Sequence, residues 1–534
     1  MRRFLPALAL AALSATGAAA QFGPQPSGFI VEDPVLRRIW SLGMDSSELP
    51  RLGQILLDSL GPRLTASTQM EAAQDWVVRT YAAWGITARK EQYGTWRGWR
   101  RGPTHVDLVA PRVRTLEATM LAWSPGTPRG RPVRAGVVIL PDVADSGAFV
   151  TWLPAVKGKF VLTSFAQPTC RPDDSWDRWA RKETADTLKA RRTAAQQAWT
   201  ARQRRTGYGN NALQRRLEAA GAAGIVTSLW SQGWGVTRIF GAATDRIPVI
   251  DLSCEDYGLV FRMAERNQGP LLEVTAQSEA RGEVPVFNVI GEIPGKVPTE
   301  YVMLSAHFDS WDGASGATDN GTGSLTMLEA MRLLKLAYPQ PRRTILVGHW
   351  SGEEQGLNGS RAFVKDHPDI VGGLQALFNQ DNGTGRIENL TASGFVDASS
   401  NLARWLSRVP ADLTRDIKFS FPGSPGGGGT DHASFVSCGA PGFNLGSGSW
   451  DYGSYTWHTT RDTYDKISFE DVKVNATLAA MLVYLAAEDT TRVSREKRTV
   501  FQSFGNNPGQ WPRCADPDRA TPPLVPPPAP ATGP

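Results

Sequence analysis

A chain of 534 residues exceeds one ordinary domain, so two or three folded units are expected. With 41% hydrophobic and 20% charged residues, its composition is that of a globular protein with a sizeable core. A net charge of +5 is small for this length and argues against a nucleic-acid partner.

At the N-terminus, Arg2 and Arg3 precede an apolar run from Phe4 to Leu13 and the small residues Ala18, Ala19 and Ala20. That order is a cleavable export signal, residues 1–20. The run is short for a membrane span, and no later run is long and apolar enough to be one. The mature protein is therefore expected in the periplasm or secreted, without stable membrane insertion. Cys170, Cys254, Cys438 and Cys514 can form disulfides in such a compartment. All pairings stay open, and the absence of CxxC spacing makes a cysteine metal site improbable.

Leu49, Leu52, Ile55, Leu56 and Leu60 recur at helical spacing, and Gly61 to Thr65 is a turn signal. Ala72 to Trp84 reads as a second amphipathic helix. Two strand-like pieces follow, Ala88 to Tyr93 and Val106 to Ala110, with Trp96 and Trp99 between them as packing aromatics. From 117 to 283, short strands alternate with turns: Gly136 to Leu140, Lys159 to Leu162, Gly224 to Thr227, Val249 to Leu252 and Leu271 to Val274. Within this stretch Asp173 to Ala220 is Arg-rich and helical, broken at Gly207-Tyr208-Gly209, and reads as solvated helices. The stretch reads as a domain inserted between two halves of one catalytic domain, residues 21–116 and 284–490. A C-terminal extension, 491–534, ends in a Pro-rich tail.

Chemistry concentrates after residue 300. The apolar run Val302 to Leu304 leads to His307 and Asp309, and a Gly-rich loop follows to Asp319-Asn320-Gly321. A helical pattern then runs to about Ala337. Thr344 to Val347 leads to Glu353-Glu354, and Leu374 to Asn379 leads to Asp381. His458 lies in a polar loop before a helix, Phe469 to Ala487. The pattern predicts an α/β fold with a mixed, mostly parallel sheet flanked by helices, its strand ends forming the crevice. Carboxylates crowded into one cleft repel unless a cation is present. Imidazole with carboxylate favours zinc or a similar transition ion over calcium or magnesium. His349, in an apolar strand, reads as a core histidine. His432, Tyr452 and Tyr455 are candidates for substrate contact, and Gly426 to Gly429 reads as a pocket rim.

The segments HFDSWDGASGATDNGTG, SGEEQG, QDNG and HTTRDTYDKI, in this order, resemble the co-catalytic di-zinc exopeptidases of the carboxypeptidase Q and secreted aminopeptidase type. The resemblance extends to the helical part with GPRLT, and it implies that residues 117–283 are a protease-associated domain. It implies two zinc ions per chain, held by His307 and Asp381 on one side and by Glu354 and His458 on the other, with Asp319 bridging. Glu353 would be the general base, drawing a proton from the water shared by the ions, and Asp309 would hold the other nitrogen of His307. The implied activity is exopeptidase cleavage of short peptides or dipeptides, as an aminopeptidase or dipeptidase; a homodimer stays open. Two other classes use related folds: a catalytically silent receptor or scaffold, and a single-zinc glutaminyl cyclase. The filled set of ligand positions disfavours both, and metal content of two, none or one zinc per chain separates the three.

Overall fold

The computed structural model describes residues 32–425, 429–501 and 509–522. The export signal, the end of the Pro-rich tail and most of the glycine run at 426–429 lie outside the described residues. The strands in chain order are β1 (Thr87–Ala110), β2 (Arg114–Leu116), β3 (Ala118–Met120), β4 (Val133–Ile139), β5 (Phe160–Leu162), β6 (Gly224–Thr227) and β7 (Val249–Leu252). They continue with β8 (Leu271–Ile293), β9 (Val297–His307), β10 (Arg343–Trp350), β11 (Leu374–Asn379), β12 (Ile387–Thr391), β13 (Lys418–Ser420) and β14 (Gly442–Ser447).

They form one 14-stranded sheet of order β13-β12-β14-β11-β9-β10-β8-β4-β5-β6-β7-β3, with β1 paired along β8 and β2 on β1. Two stretches of it are parallel. One is β14, β11, β9 and β10; the other is β4, β5, β6 and β7. β8 joins them, antiparallel to both: residues 271–274 pair with β4 and residues 289–293 with β10.

Parallel strands covered on both faces read as continuous apolar runs, and successive side chains enter opposite layers. In β9, Val302, Leu304 and Ala306 pack with the Thr322–Ala337 and Phe469–Glu488 helices. Met303 points the other way, into a layer with Trp350, Phe363 and Phe435. Each such large side chain contributes about 1.5–3 kcal/mol on burial. A separate core, with Phe160, Ile225, Val249, Tyr257 and Leu272, surrounds the second parallel stretch. His349 lies in the first core, its Nε2 2.8 Å from the Tyr81 hydroxyl. Burial holds its pKa down at about 3, so it is a neutral core histidine.

Three expectations need correction. The two strand pieces at 88–110 are one strand of 24 residues, paired with β8 throughout. Gly94, Gly98 and Gly102-Pro103 look like breaks in sequence, yet the register shifts at those points are bulges, which bend a strand without ending it. Likewise Leu271 to Val274 is only the start of β8, which runs 23 residues to Ile293. Trp96 and Trp99 are buried, and Trp99 donates to the Ser124 carbonyl at 3.0 Å.

The Arg-rich segment forms the helices Asp173–Trp179, Lys182–Arg205 and Asn210–Ala219, broken as expected at 206–209. It is not merely solvated. Trp199 is buried and donates to the Thr163 carbonyl, while Arg202 and Arg205 donate to the carbonyls of Leu140 and Val143. Arginine heads thus satisfy backbone acceptors after β4, while Trp199 and Gln203 satisfy the Thr163 carbonyl after β5. The cysteines pair as Cys170–Cys254 and Cys438–Cys514. The first ties this segment to the Cys254–Glu265 helix of the second core.

Candidate metal centre

Because β9, β10, β11 and β14 are parallel, their carboxyl ends share one edge of the sheet. His307 is the last residue of β9. Glu353 and Glu354 follow β10, Asp381 follows β11, and the loop after β14 returns His458 to the same edge. Asp319 enters from the turn before the Thr322–Ala337 helix, at a cis peptide with Asn320.

The side chains converge in two groups with one shared member: His307, Asp319 and Asp381, and Asp319, Glu354 and His458. Within each, the candidate ligand atoms lie within 4.8 Å of one another. Nε2 of His307 is 3.1 Å from Asp381 Oδ1 and 3.4 Å from Asp319 Oδ1. Nε2 of His458 is 3.0 Å from Glu354 Oε2 and 3.1 Å from Asp319 Oδ2. Asp319 therefore turns one oxygen to each histidine. His307, Glu353 and Glu354 form a third cluster at the same place.

The donor chemistry fits a cation. Asp319 Oδ2 and Glu354 Oε1 are buried without hydrogen-bond partners. Several buried carboxylates crowded together in one place are held by the facing histidines, an arrangement that a bound cation would stabilise further. Burial by itself would lower the pKa of both histidines, but the surrounding carboxylates reverse this. Asp381 and Glu353 hold His307 well above its ordinary value, and Asp319 and Glu354 raise His458 to about 9. Asp319, which burial alone would raise, is lowered by the two histidines. Burial raises Glu354 to about 7, and burial with the charges of Asp381 and Glu354 holds Glu353 well above its ordinary value. Nitrogen and carboxylate donors in this mixture suit zinc.

Supporting contacts fix the loops. His307 Nδ1 donates to the backbone carbonyl of Asp309 at 3.0 Å; the Asp309 carboxylate stands 3.7 Å from that nitrogen. The carboxylate mainly clamps the next loop, accepting from the Glu353 and Glu354 amides at 3.2 and 3.3 Å and from Thr65 Oγ1 at 3.1 Å. So the tautomer of His307 is set chiefly by the Asp309 main chain, and the side chain aims the two glutamates.

Several contributors carried no recognisable signal in sequence. Arg63, fully buried, donates to the carbonyls of Phe308, Ser315 and Gly316 and so shapes the glycine-rich loop. Asp462 accepts from the amides of Thr318 and Asp319 at 2.8 and 3.0 Å, and burial raises it to about 7. Trp311 donates from its indole nitrogen to Glu354 Oε2 at 2.8 Å. Asp431 is buried beside the cluster with both oxygens unpartnered, and burial raises it to about 7. Arg63 lies inside GPRLT, Trp311 inside HFDSWDGASGATDNGTG, Asp462 inside HTTRDTYDKI and Asp431 just after the glycine run, so the segments stood out in sequence but these contacts did not.

Of the substrate-contact candidates, Tyr452 faces the cluster: burial, then the charges of Asp319, Asp381 and Glu354, raises its pKa well above the ordinary value. Tyr455 instead lies against Gly233. His432 is buried with Nδ1 unpartnered and is lowered to about 4 by burial. The second core reaches the cleft as well. Phe240 stands edge-on to the His458 ring with centroids 5.1 Å apart, and the Ile239 amide donates to the His458 carbonyl at 2.7 Å.

A sheet edge that gathers imidazoles, carboxylates and a free glutamate defines a metallopeptidase of the zinc exopeptidase class. Residues 288–483 match Peptidase family M28. It is 24% identical to carboxypeptidase Q of Mus musculus, over 82% of this chain and 85% of that one. The crystal structure of a Peptidase M28 precursor from Shewanella amazonensis SB2B superposes with a TM-score of 0.62 at 24% identity, covering 86% of this chain and 97% of that one. The zinc aminopeptidase BSAP of Bacillus subtilis does so with a TM-score of 0.54 at 18% identity, covering 84% and 97%.

Proposed function

We propose that this protein is an exported di-zinc exopeptidase that hydrolyses short peptides or dipeptides from a free amino end. The observation that carries this reading is Asp319, which directs its two oxygens to two separate histidine-carboxylate groups. His307 and Asp381 would hold one zinc, Glu354 and His458 the other, with Asp319 between them. When bound, zinc supplies Lewis acidity toward a peptide carbonyl and makes water acidic near neutral pH.

The chain's own residues supply the rest. Glu353 takes the proton of the attacking water and delivers it to the departing amine, so the C–N bond breaks as the acid and amine form. Asp309 holds the Glu353 and Glu354 amides, so both carboxyls stay aimed. Tyr452 remains protonated and is available to donate to the oxygen that gains charge.

Relatives named carboxypeptidase Q and aminopeptidase support an exopeptidase without choosing the end attacked. Export is supported by the N-terminal signal pattern and by the disulfides Cys170–Cys254 and Cys438–Cys514. Among the described residues, no helix is long and apolar enough to cross a membrane. Residues 117–283 act in this reading as an inserted domain that walls the cleft. The test is turnover by the zinc-loaded protein on unblocked and N-acetylated dipeptides. Acetylation should abolish cleavage; equal cleavage of both would overturn free-amine dependence, and no cleavage of either would favour a silent scaffold.

A further inference from the structure

A cavity of about 360 Å³ lies between the second core and the loop that carries Tyr452, lined by Gln167, Arg192, Trp230, Arg238, Phe240 and Ser454 among others. It is a neighbour of the metal centre. Phe240 forms part of its wall and also touches the His458 ring. Arg238 lies over the Trp457 ring at 4.8 Å, and Trp457 stacks on His458 at 4.0 Å.

The charge in this cavity is unbalanced. Arg192 is consumed by Asp173 and by the carbonyls of Thr169 and Arg171. Arg238 donates from Nη2 to the Gly453 carbonyl at 2.9 Å, its Nε is buried without a partner, and it makes no ion pair among the described residues. The Arg192 Nε is likewise buried without a partner, and the Gln167 Oε1 is an unpartnered acceptor. The other arginines near the cleft are neutralised or saturated: Arg101 by Asp312, Arg461 by Glu117, and Arg63 by main-chain carbonyls. A half-buried guanidinium with donors to spare is a carboxylate receptor in waiting. It stands two ring layers from His458, and a peptide advances about 3.3–3.6 Å per residue. A carboxylate one or two residues from the scissile bond spans that distance.

Resting on the peptidase reading above, we infer that this cavity is an anion subsite of the cleft, in which Arg238 receives a carboxylate of the peptide substrate. The carboxylate is either the C-terminus of a dipeptide or an acidic side chain. Steady-state kinetics on three substrates separate these: an unblocked Ala-Ala free acid, its C-terminal amide, and an unblocked Ala-Glu amide.

The wild type should favour one or both anionic substrates over the neutral amide by ten-fold or more. Preference for the free acid identifies the C-terminus, and preference for the Glu amide identifies the side chain. Arg238→Met should erase the preference through KM and leave the neutral amide within about three-fold; Arg238→Lys should restore part of it. An equal loss on charged and neutral substrates, or no anionic preference in the wild type, overturns the subsite. In both those cases cleavage of the neutral amide leaves the peptidase reading standing. Failure of the wild type to cleave any of the three substrates overturns both.

Discussion

The two parallel stretches of the sheet are built alike and end differently. At the carboxyl ends of β5, β6 and β7 stand hydroxyls and one acid, and nearly all are satisfied: Thr227 donates to Asp251 at 2.7 Å, the Leu229 amide to the same oxygen at 2.8 Å, and the Ser228 amide to Ser164 at 3.0 Å. At the ends of β9, β10 and β11, histidines and carboxylates converge with oxygens left unpartnered. Similar architecture thus yields a mostly self-satisfied crevice in one place and an ion-demanding one in the other. Function belongs to the residues at the strand ends rather than to the layering.

The largest expected effect comes from removing the base at the ion-demanding edge. Glu353→Gln keeps the shape of the loop and the Asp309 clamp but cannot accept a proton. Turnover should fall by about 10²–10⁴-fold with zinc content unchanged, measured by kcat and by elemental analysis on the same sample. Unchanged turnover would remove Glu353 from the chemistry.

That edge was also the part most open to sequence reading. Parallel strands advertise themselves as apolar runs, and His307, Glu353, Glu354 and Asp381 stand where those runs stop, so order along the chain translates directly into position in space. Contacts made across long separations leave no such trace. Trp311 meeting Glu354, Asp462 gripping the Asp319 turn, and Phe240 crossing from the second core to His458 depend on how the layers close. β1 was hidden for another reason. Its bulges sit at glycines and a proline, residues that in sequence also mark the ends of strands.

Trp311→Phe should sharpen the comparison with an intermediate effect. It keeps an aromatic side chain but removes the hydrogen bond to Glu354. Zinc affinity, measured by chelator competition, should weaken by about 10-fold, the usual cost of losing a group that orients a ligand. Affinity equal to wild type would mean the indole only packs.

The smallest effect tests the quiet crevice. Burial raises the pKa of Asp251 from 3.8 to about 7. An acid whose folded pKa is raised is favoured by folding only when protonated. That contribution is complete below the unfolded value and is lost as pH rises to about 7, at about 1.4 kcal/mol per unit at most. Asp251→Asn should therefore gain stability relative to wild type between pH 4 and pH 7 and run parallel to it above. Denaturant melts across this range check it; parallel curves throughout would mean that Asp251 stays ionised in the fold.

The most direct test of the central claim is anomalous diffraction at the zinc edge from zinc-loaded crystals. Two peaks should flank Asp319, one against His307 and Asp381 and the other against Glu354 and His458. A single peak, or a pair that leaves Asp319 untouched, would contradict the bridging assignment.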